Sequence, residues 1–301
     1  MLLTVIFFIL LLGVLVLVHE WGHFIAARIF GVKVEEFAFG FPPRIASVTR
    51  RGTRYALNLF PLGGYVKIFG EDGEGESRPE SFSSRPLLQR FSIIAAGVAM
   101  NIILAWVLFS LGHGLGLPTA LGEGDAADNA EVTIIGMAPG SPAEASGLRF
   151  GDAIKRFKIG NSEFSINTID EVQKFVREHS GKEAELTVAR KSGEVKIYIT
   201  PRADPPSGEG ALGIAMARVG IVRSPLWRAP WDGFKTTASA AIAITSALFN
   251  VARDVVTEGK VSADISGPVG IFVFTSETMS LGFTYLLELA GILSLNLALL
   301  N

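Results

Sequence analysis

The sequence predicts a polytopic α-helical membrane protein of about four spans, the last of them incomplete. A membrane-associated β-hairpin region follows the first span, and an α+β domain is inserted after the second. Three observations predict this. Long runs without a charged residue recur along the chain, a basic stretch of strand-like segments separates the first two runs, and a long polar stretch separates the second from the third. Of 301 residues, 49% are hydrophobic and 19% charged, and the mean hydropathy is +0.40, the balance expected of a membrane protein with a soluble insert. The net charge of −2 excludes a basic nucleic-acid-binding surface and leaves the lipid bilayer as the partner that composition demands. The absence of cysteine excludes a disulfide framework and a Cys-ligated metal site.

Residues 1–32 hold the first span. Met1 to Val18 carries no charge and approaches the ~20 residues that cross a bilayer. A cleaved signal peptide is the competing reading, but no basic segment opens the run, it exceeds the usual apolar length, and no small-residue cleavage site follows. Residues 33–90 contain nine Lys or Arg, which the positive-inside tendency assigns to the cytoplasm, with the N-terminus outside. Within that loop, FAFGFPPRIASV, TRYALNLF and GGYVKIFG alternate apolar and polar residues around Pro61 to Gly64, as hairpins do. Residues 91–113 form the second span, with Arg85 and Arg90 at its cytoplasmic end. Residues 232–256, rich in alanine, form the third. Residues 283–301 begin a fourth, and Asn301 falls inside an apolar stretch, so the sequence reads as cut short. These spans place the chain in a cell membrane.

The order His19-Glu20-Trp21-Gly22-His23 closes the first run. On a helix, residues four apart share a face, so His19 and His23 can reach one ion while Glu20 stands beside it, positioned to act on a water there. This is a hydrolytic zinc pattern, and zinc lowers the pKa of such a water to about 7. Ionisable groups at membrane depth are costly unless they face protein or a wet cavity. A protease must also hold its substrate extended, and a strand edge does so by adding the substrate as another strand. Phe39, Gly40, Phe41, Gly63 and Gly64 in the hairpin segments are the candidates for that. A plain cytoplasmic sheet is the alternative.

The stretch 126–203 has EVTIIGM as a strand, a turn-rich PGSPAEASGLRFGD, TIDEVQKFVREHS as a helix, then AELTVAR and EVKIYIT as strands. With Gly140-Ser141-Pro142-Ala143, Gly147-Leu148 and Gly151-Asp152 in order, it resembles a PDZ domain. The resemblance implies binding of peptide tails at a strand edge. Lys155 and Arg156 stand where such domains usually continue an apolar strand.

Taken in order, HEWGHFIAAR, FGFPPRI, PLGGYVKIFGE, AAGVAMN and the SGPVGI loop within residues 264–272 resemble the landmarks of the site-2 protease family of intramembrane zinc metalloproteases, in a bacterial form with one PDZ domain. The resemblance implies a Zn2+ cofactor and cleavage of single-span membrane protein substrates, of anti-sigma-factor or remnant-signal-peptide type. It also implies an inner or cell membrane location with the PDZ-like domain extracytoplasmic. Carried over by position, His19 and His23 ligate zinc, Glu20 is the general base, and Gly97 and Asn101 line the site. The family's third ligand is an aspartate beyond an Asn-x-x-Pro-x-Pro stretch that Asn301 would open, so Asn301 is a further site-lining candidate. A PDZ-bearing scaffold that binds tails without cutting, or an inactive homologue, is the rival from another class, and a soluble zincin the third reading. His113 reads as an interfacial residue, His179 as solvated surface, and Trp106, Trp227 and Trp231 as headgroup-level anchors.

Overall fold

The computed structural model describes residues 2–73, 78–122, 130–190, 193–206, 208–258 and 268–301. Helix α1 (Leu2–Ile29) leads into strands β1 (Val34–Arg50) and β2 (Thr53–Ile68), then α2 (Leu87–Leu115). Next come β3 (Leu117–Ala120), β4 (Glu131–Met137), α3 (Pro142–Ala145), β5 (Ala153–Ile159), β6 (Ser162–Ser165) and α4 (Ile169–Glu178). Strands β7 (Ala184–Arg190), β8 (Gly193–Ile199) and β9 (Ile214–Val222) follow, then helices α5 (Ala229–Glu258), α6 (Pro268–Leu281) and α7 (Phe283–Leu300). Four of these helices, α1, α2, α5 and α7, are long and apolar enough to cross a membrane. Two compact units result: Met1–Gly114 with Ser224–Ser276 and Leu286–Asn301, and Leu115–Arg223 with Glu277–Tyr285.

In the first unit, α1 exposes Leu2, Leu3, Ile6, Leu10 and Val14, a surface suited to lipid rather than water. Its opposite side packs in two clusters. Leu15 meets Leu289 and Leu293 of α7, while Ala26 and Ala27 meet Ile93 of α2 and the strand residues Val34 and Ile68. Where α1 crosses α2, a Cβ on Gly22 would overlap the Ala96 carbonyl and stand 2.8 Å from Met100 Cγ. Glycine therefore lets the two backbones touch, the usual device for packing helices in lipid.

The β1–β2 sheet is more folded than a single hairpin. Phe37 faces Val66 on one side and Tyr55 on the other, while Ser47 to Arg50 pair with Ala56 to Thr53. The row from Gly64 to Ile68 is thus outermost, beyond the opening of β1. The sheet lies along α1. A Cβ on Gly13 would stand 3.0 Å from the Pro61 carbonyl oxygen, and one on Gly63 3.4 Å from Val16. Gly13 precedes His19 by six positions, about 9 Å of helix, so the sheet runs past the HEWGH motif to the apolar middle of α1.

The second unit is built on a seven-stranded sheet of order β3-β9-β4-β5-β7-β8, with β6 beside β5. Its core gathers Val132, Ile134, Phe157, Val172, Phe175, Leu186 and Val188, among others, and Phe157 stacks on Phe175 at 4.2 Å. Helix α4 starts on a capping box, Thr168 accepting from the Glu171 amide while Glu171 reaches back to the Thr168 N–H, which satisfies two otherwise orphaned donors. The Gly151-Asp152 turn is held by Arg190, whose Nε and Nη2 donate to the Asp152 carboxylate at 2.6 and 2.8 Å.

Two expectations need correction. The insert does not end at residue 203, because β9 pairs with both β4 and β3. Strand β9 follows a stretch rich in Pro and Gly. Residues 264–272 are not all loop: Pro268 opens helix α6, a position where proline's missing N–H costs nothing. Residues 264–267 lie outside the described ones, as do the middle of the acidic run 71–80 at 74–77, the start of the insert at 126–129, and Lys191 and Ser192 of the turn before β8. Lys155 and Arg156 sit within β5 and do not interrupt it, their charges meeting Glu131 for the lysine and Glu163 and Glu194 for the arginine.

Candidate metal centre

His19, Glu20 and His23 lie on α1 where it crosses α2. The imidazoles of His19 and His23 stand edge to face, with centroids 4.8 Å apart, and their Nε2 atoms face each other at 3.2 Å. His23 Nδ1 donates to the Ile93 carbonyl at 2.8 Å, which fixes its tautomer and leaves a lone pair on Nε2. On His19, Nδ1 stands 3.4 Å from the Asn101 amide nitrogen. Asn101 is fully buried and its Oδ1 is without a partner. Turning that amide over, an assignment which hydrogen-bond logic governs, lets Oδ1 accept from His19 Nδ1. The His19 Nε2 lone pair then also points inward. Two lone pairs 3.2 Å apart repel unless a proton or cation lies between them.

The donors present fit zinc. At the ~2.0–2.1 Å typical of Zn–N bonds, two ligands of a tetrahedral ion stand about 3.3 Å apart, against 3.2 Å here. Gly97 provides the room. A Cβ there would overlap His23 Nε2 and stand 2.7 Å from His19 Nε2, so only a glycine leaves space over both nitrogens. Among the described residues no cluster of three His, Asp or Glu side chains is positioned to hold a metal ion.

Glu20 is adjacent in sequence to His19, and its Oε2 accepts the Val66 backbone N–H at 3.0 Å. The outermost row of the sheet thereby holds the carboxylate beside the histidines. Asn101 is held in turn, since Ser294 Oγ of α7 donates to its carbonyl at 2.8 Å. Glu71 lies close enough to feel the charges of His23 and Asp72. Partial desolvation raises its carboxyl pKa and Asp72 adds to that, while His23 opposes.

The other sequence candidates separate. Gly40 (φ +81°) would set a Cβ 2.8 Å from the Phe60 carbonyl oxygen, and Gly64 2.7 Å from that of Ala38, so both glycines serve close strand pairing. Phe39 packs towards Gly13, and Phe41, 44% exposed, towards Gly63. The Asn301 amide turns back onto the Leu297 carbonyl at 2.9 Å, so the structure does not join it to the histidines. His113 is buried, with Nε2 at 2.8 Å from Thr236 Oγ1 of α5. His179 stacks on Phe175. The groups that sequence reasoning misses are the Ile93 carbonyl and the Val66 amide, both backbone atoms that no residue type announces.

Comparison with known proteins gives the family. The model of peptidase family M50 matches residues 7–301. A protein of Clostridium acetobutylicum is 31% identical over 97% of this chain and 80% of its own length. One of Clostridium perfringens is 32% identical over 99% and 82%. One of Thermotoga maritima is 39% identical over 69% of this chain and 39% of its own. Each of these bears the name "Putative zinc metalloprotease". The chain belongs to peptidase family M50, the site-2 protease family, whose members are membrane-embedded.

Proposed function

We propose that this chain is the zinc metalloprotease of an intramembrane, site-2 type, cutting single-span membrane protein substrates within or beside the bilayer. The observation that carries the reading is the pair of Nε2 atoms 3.2 Å apart beneath Gly97, inside an apolar helix and beside a carboxylate. His19 and His23 would hold the ion. When bound, the ion supplies a Lewis acid that polarises the scissile carbonyl and acidifies the attacking water. Glu20 would take a proton from the attacking water and pass it to the leaving nitrogen, for which it would have to leave the Val66 amide. Asn101 and the Ile93 carbonyl keep both imidazoles in the tautomer that presents Nε2. A zinc site takes a third protein ligand, and the described residues bring none to the two histidines; a longer chain carrying the family's aspartate would supply it.

The sheet beside the motif suits an extended substrate. The row Gly64 to Ile68 lies next to Glu20, and a strand laid against a sheet edge presents its carbonyls at regular spacing. The polar insert works as a PDZ-like module for peptide tails. A cleft of about 540 Å3 runs between α4 and β9, lined by Val172, Val176, Leu212, Ile214 and Met216. The insert lies outside the cytoplasm and the basic loop inside. Thiol labelling of cysteines placed at Lys182 and Arg51, in a chain that has none, checks that orientation: labelling of position 182 only after permeabilisation reverses it.

The test of function is Glu20→Gln in the protein that extends past Asn301. It should keep its zinc and lose cleavage of a single-span reporter by about 10²- to 10⁴-fold, the usual weight of a general base. Near-normal cleavage sinks the assignment. Zinc content and cleavage should rise together when the residues past Asn301 are added to the 301-residue chain. Stoichiometric zinc without them refutes the third ligand's placement.

A further inference from the structure

A second polar site lies at the β1–β2 turn, and its lining includes none of the metal-centre residues. Arg28 of α1 and Arg50 and Arg51 of the β1–β2 turn line a cleft of about 380 Å3 with Phe24 and Tyr55. The other basic groups of this sheet are neutralised: Arg44 and Arg54 both pair with Glu36, and Lys67 with Glu35. Arg28, Arg50 and Arg51 have no acidic partner among the described residues, and the cleft is lined by no carboxylate. Arg28 is braced, its Nη2 donating to Thr53 Oγ1 at 3.0 Å and its guanidinium lying 5.6 Å from the Phe24 ring centre.

The site's depth and its neighbours say what it would hold. Helix α1 has 28 residues, about 42 Å, which exceeds the ~30 Å of hydrocarbon. Its last turn, with Arg28, therefore falls at headgroup level. Val48 pairs with Tyr55 and Ala46 with Leu57, and partners across a ladder share a face. Alternation puts Arg50 on the same face as Val48. One face thus carries Arg50 and Tyr55 and, further along, Val48 and Leu57, which are 64% and 46% exposed. Cationic groups at the boundary and a bare aliphatic track leading away along the sheet match an amphiphile with an anionic head.

We propose that Arg28, Arg50 and Arg51 bind the phosphate of an anionic phospholipid whose acyl chain lies along Val48 and Leu57. Guanidinium groups suit this because they grip phosphate oxygens bidentately and are weakly hydrated. A free phosphate would use the same arginines but gain nothing from the apolar track.

The experiment is native mass spectrometry of the detergent-solubilised 301-residue chain. It is titrated with dioleoylphosphatidylglycerol or dioleoylphosphatidylcholine, with and without millimolar inorganic phosphate. Phosphatidylglycerol should bind in clear preference to phosphatidylcholine and stay bound in phosphate. The R50Q/R51Q variant should lose between roughly fivefold and thirtyfold in phosphatidylglycerol affinity, and R50K/R51K, which keeps the charge but not the bidentate grip, should lose less. Arg28→Gln, on the other wall of the cleft, should show a loss of its own, so the conclusion does not rest on one turn. Unchanged preference in R50Q/R51Q and Arg28→Gln overturns the proposal. Displacement of the lipid by phosphate overturns it too, in favour of a soluble anion.

Discussion

Gly97→Ala should empty the metal centre without unfolding the protein. The added carbon would overlap His23 Nε2 and stand 2.7 Å from His19 Nε2, whereas ordinary contact begins at 3.4 Å. His19 must therefore retreat by about 0.7 Å, and His23 by more, while a metal site tolerates errors of only about ±0.2 Å. Neither ring is free to go. His23 is tied to the Ile93 carbonyl on α2 itself, and the helices cannot part cheaply because Gly22 already lies against Ala96. Even a disturbance limited to the groups that orient ligands lowers metal affinity by about 10- to 100-fold, and direct displacement should reach the upper end or exceed it. In a helix interior alanine is favoured over glycine by about 1 kcal/mol, so the loss would not be one of helix formation. The assay is zinc competition against a chromophoric chelator, with size-exclusion profile and thermal unfolding read alongside. Gly136→Ala, whose Cβ would meet only Ala215 at 3.5 Å, serves as the control and should bind zinc as the parent does. A Gly97→Ala protein with parental zinc affinity would refute the geometry from which the site is built.

Arg190→Ala should loosen the insert and spare the metal centre. It leaves the Asp152 carboxylate, 2% exposed, without its cation, and breaking a buried pair from one side costs about 3–5 kcal/mol; unchanged hydrogen-exchange protection across β5 and β7 would refute it. Glu36 should give the β1–β2 sheet an acid-sensitive contribution. Burial alone would raise its pKa, but the Tyr65 hydroxyl and the Arg44 and Arg54 guanidiniums hold the carboxyl below its ordinary value. A depressed pKa stabilises above the unfolded value of about 4.3 and is lost as pH falls through the folded one. Glu36→Gln should therefore be less stable than the parent at neutral pH and converge on it below about pH 4; a constant difference across that window would dismiss the linkage.

Much of the fold is legible because membrane spans and soluble strands are written in composition and alternation. The apolar runs locate α1, α2, α5 and α7 to within a few residues, and EVTIIGM, AELTVAR and EVKIYIT become β4, β7 and β8. The failures share a cause. Strand β9 follows a stretch rich in Pro and Gly and helix α6 opens on the proline of SGPVGI, where local punctuation argues for loop and only pairing with distant strands, or packing, decides otherwise. The double pairing of Phe37 with Tyr55 and Val66 is likewise invisible, since alternation fixes which face a residue takes but not how many neighbours a strand acquires.

The candidate site divides along the same line. His19, Glu20 and His23 are readable because one helix fixes their relation, and helical spacing is a local property. What makes them a site is non-local: a carbonyl on α2 that orients His23, a sheet amide that holds Glu20, and a glycine that opens space above both imidazoles. Two of these three are backbone groups, and the third is the absence of a side chain. Gly22 and Gly97 act on opposite helices at one crossing, the first bringing α2 close enough for its backbone to reach His23, the second keeping that closeness from filling the space over the imidazoles. Close approach and open volume are conflicting demands in a packed membrane interior. A glycine on each helix satisfies both, which is why neither position should tolerate even a methyl group although neither carries any chemistry of its own.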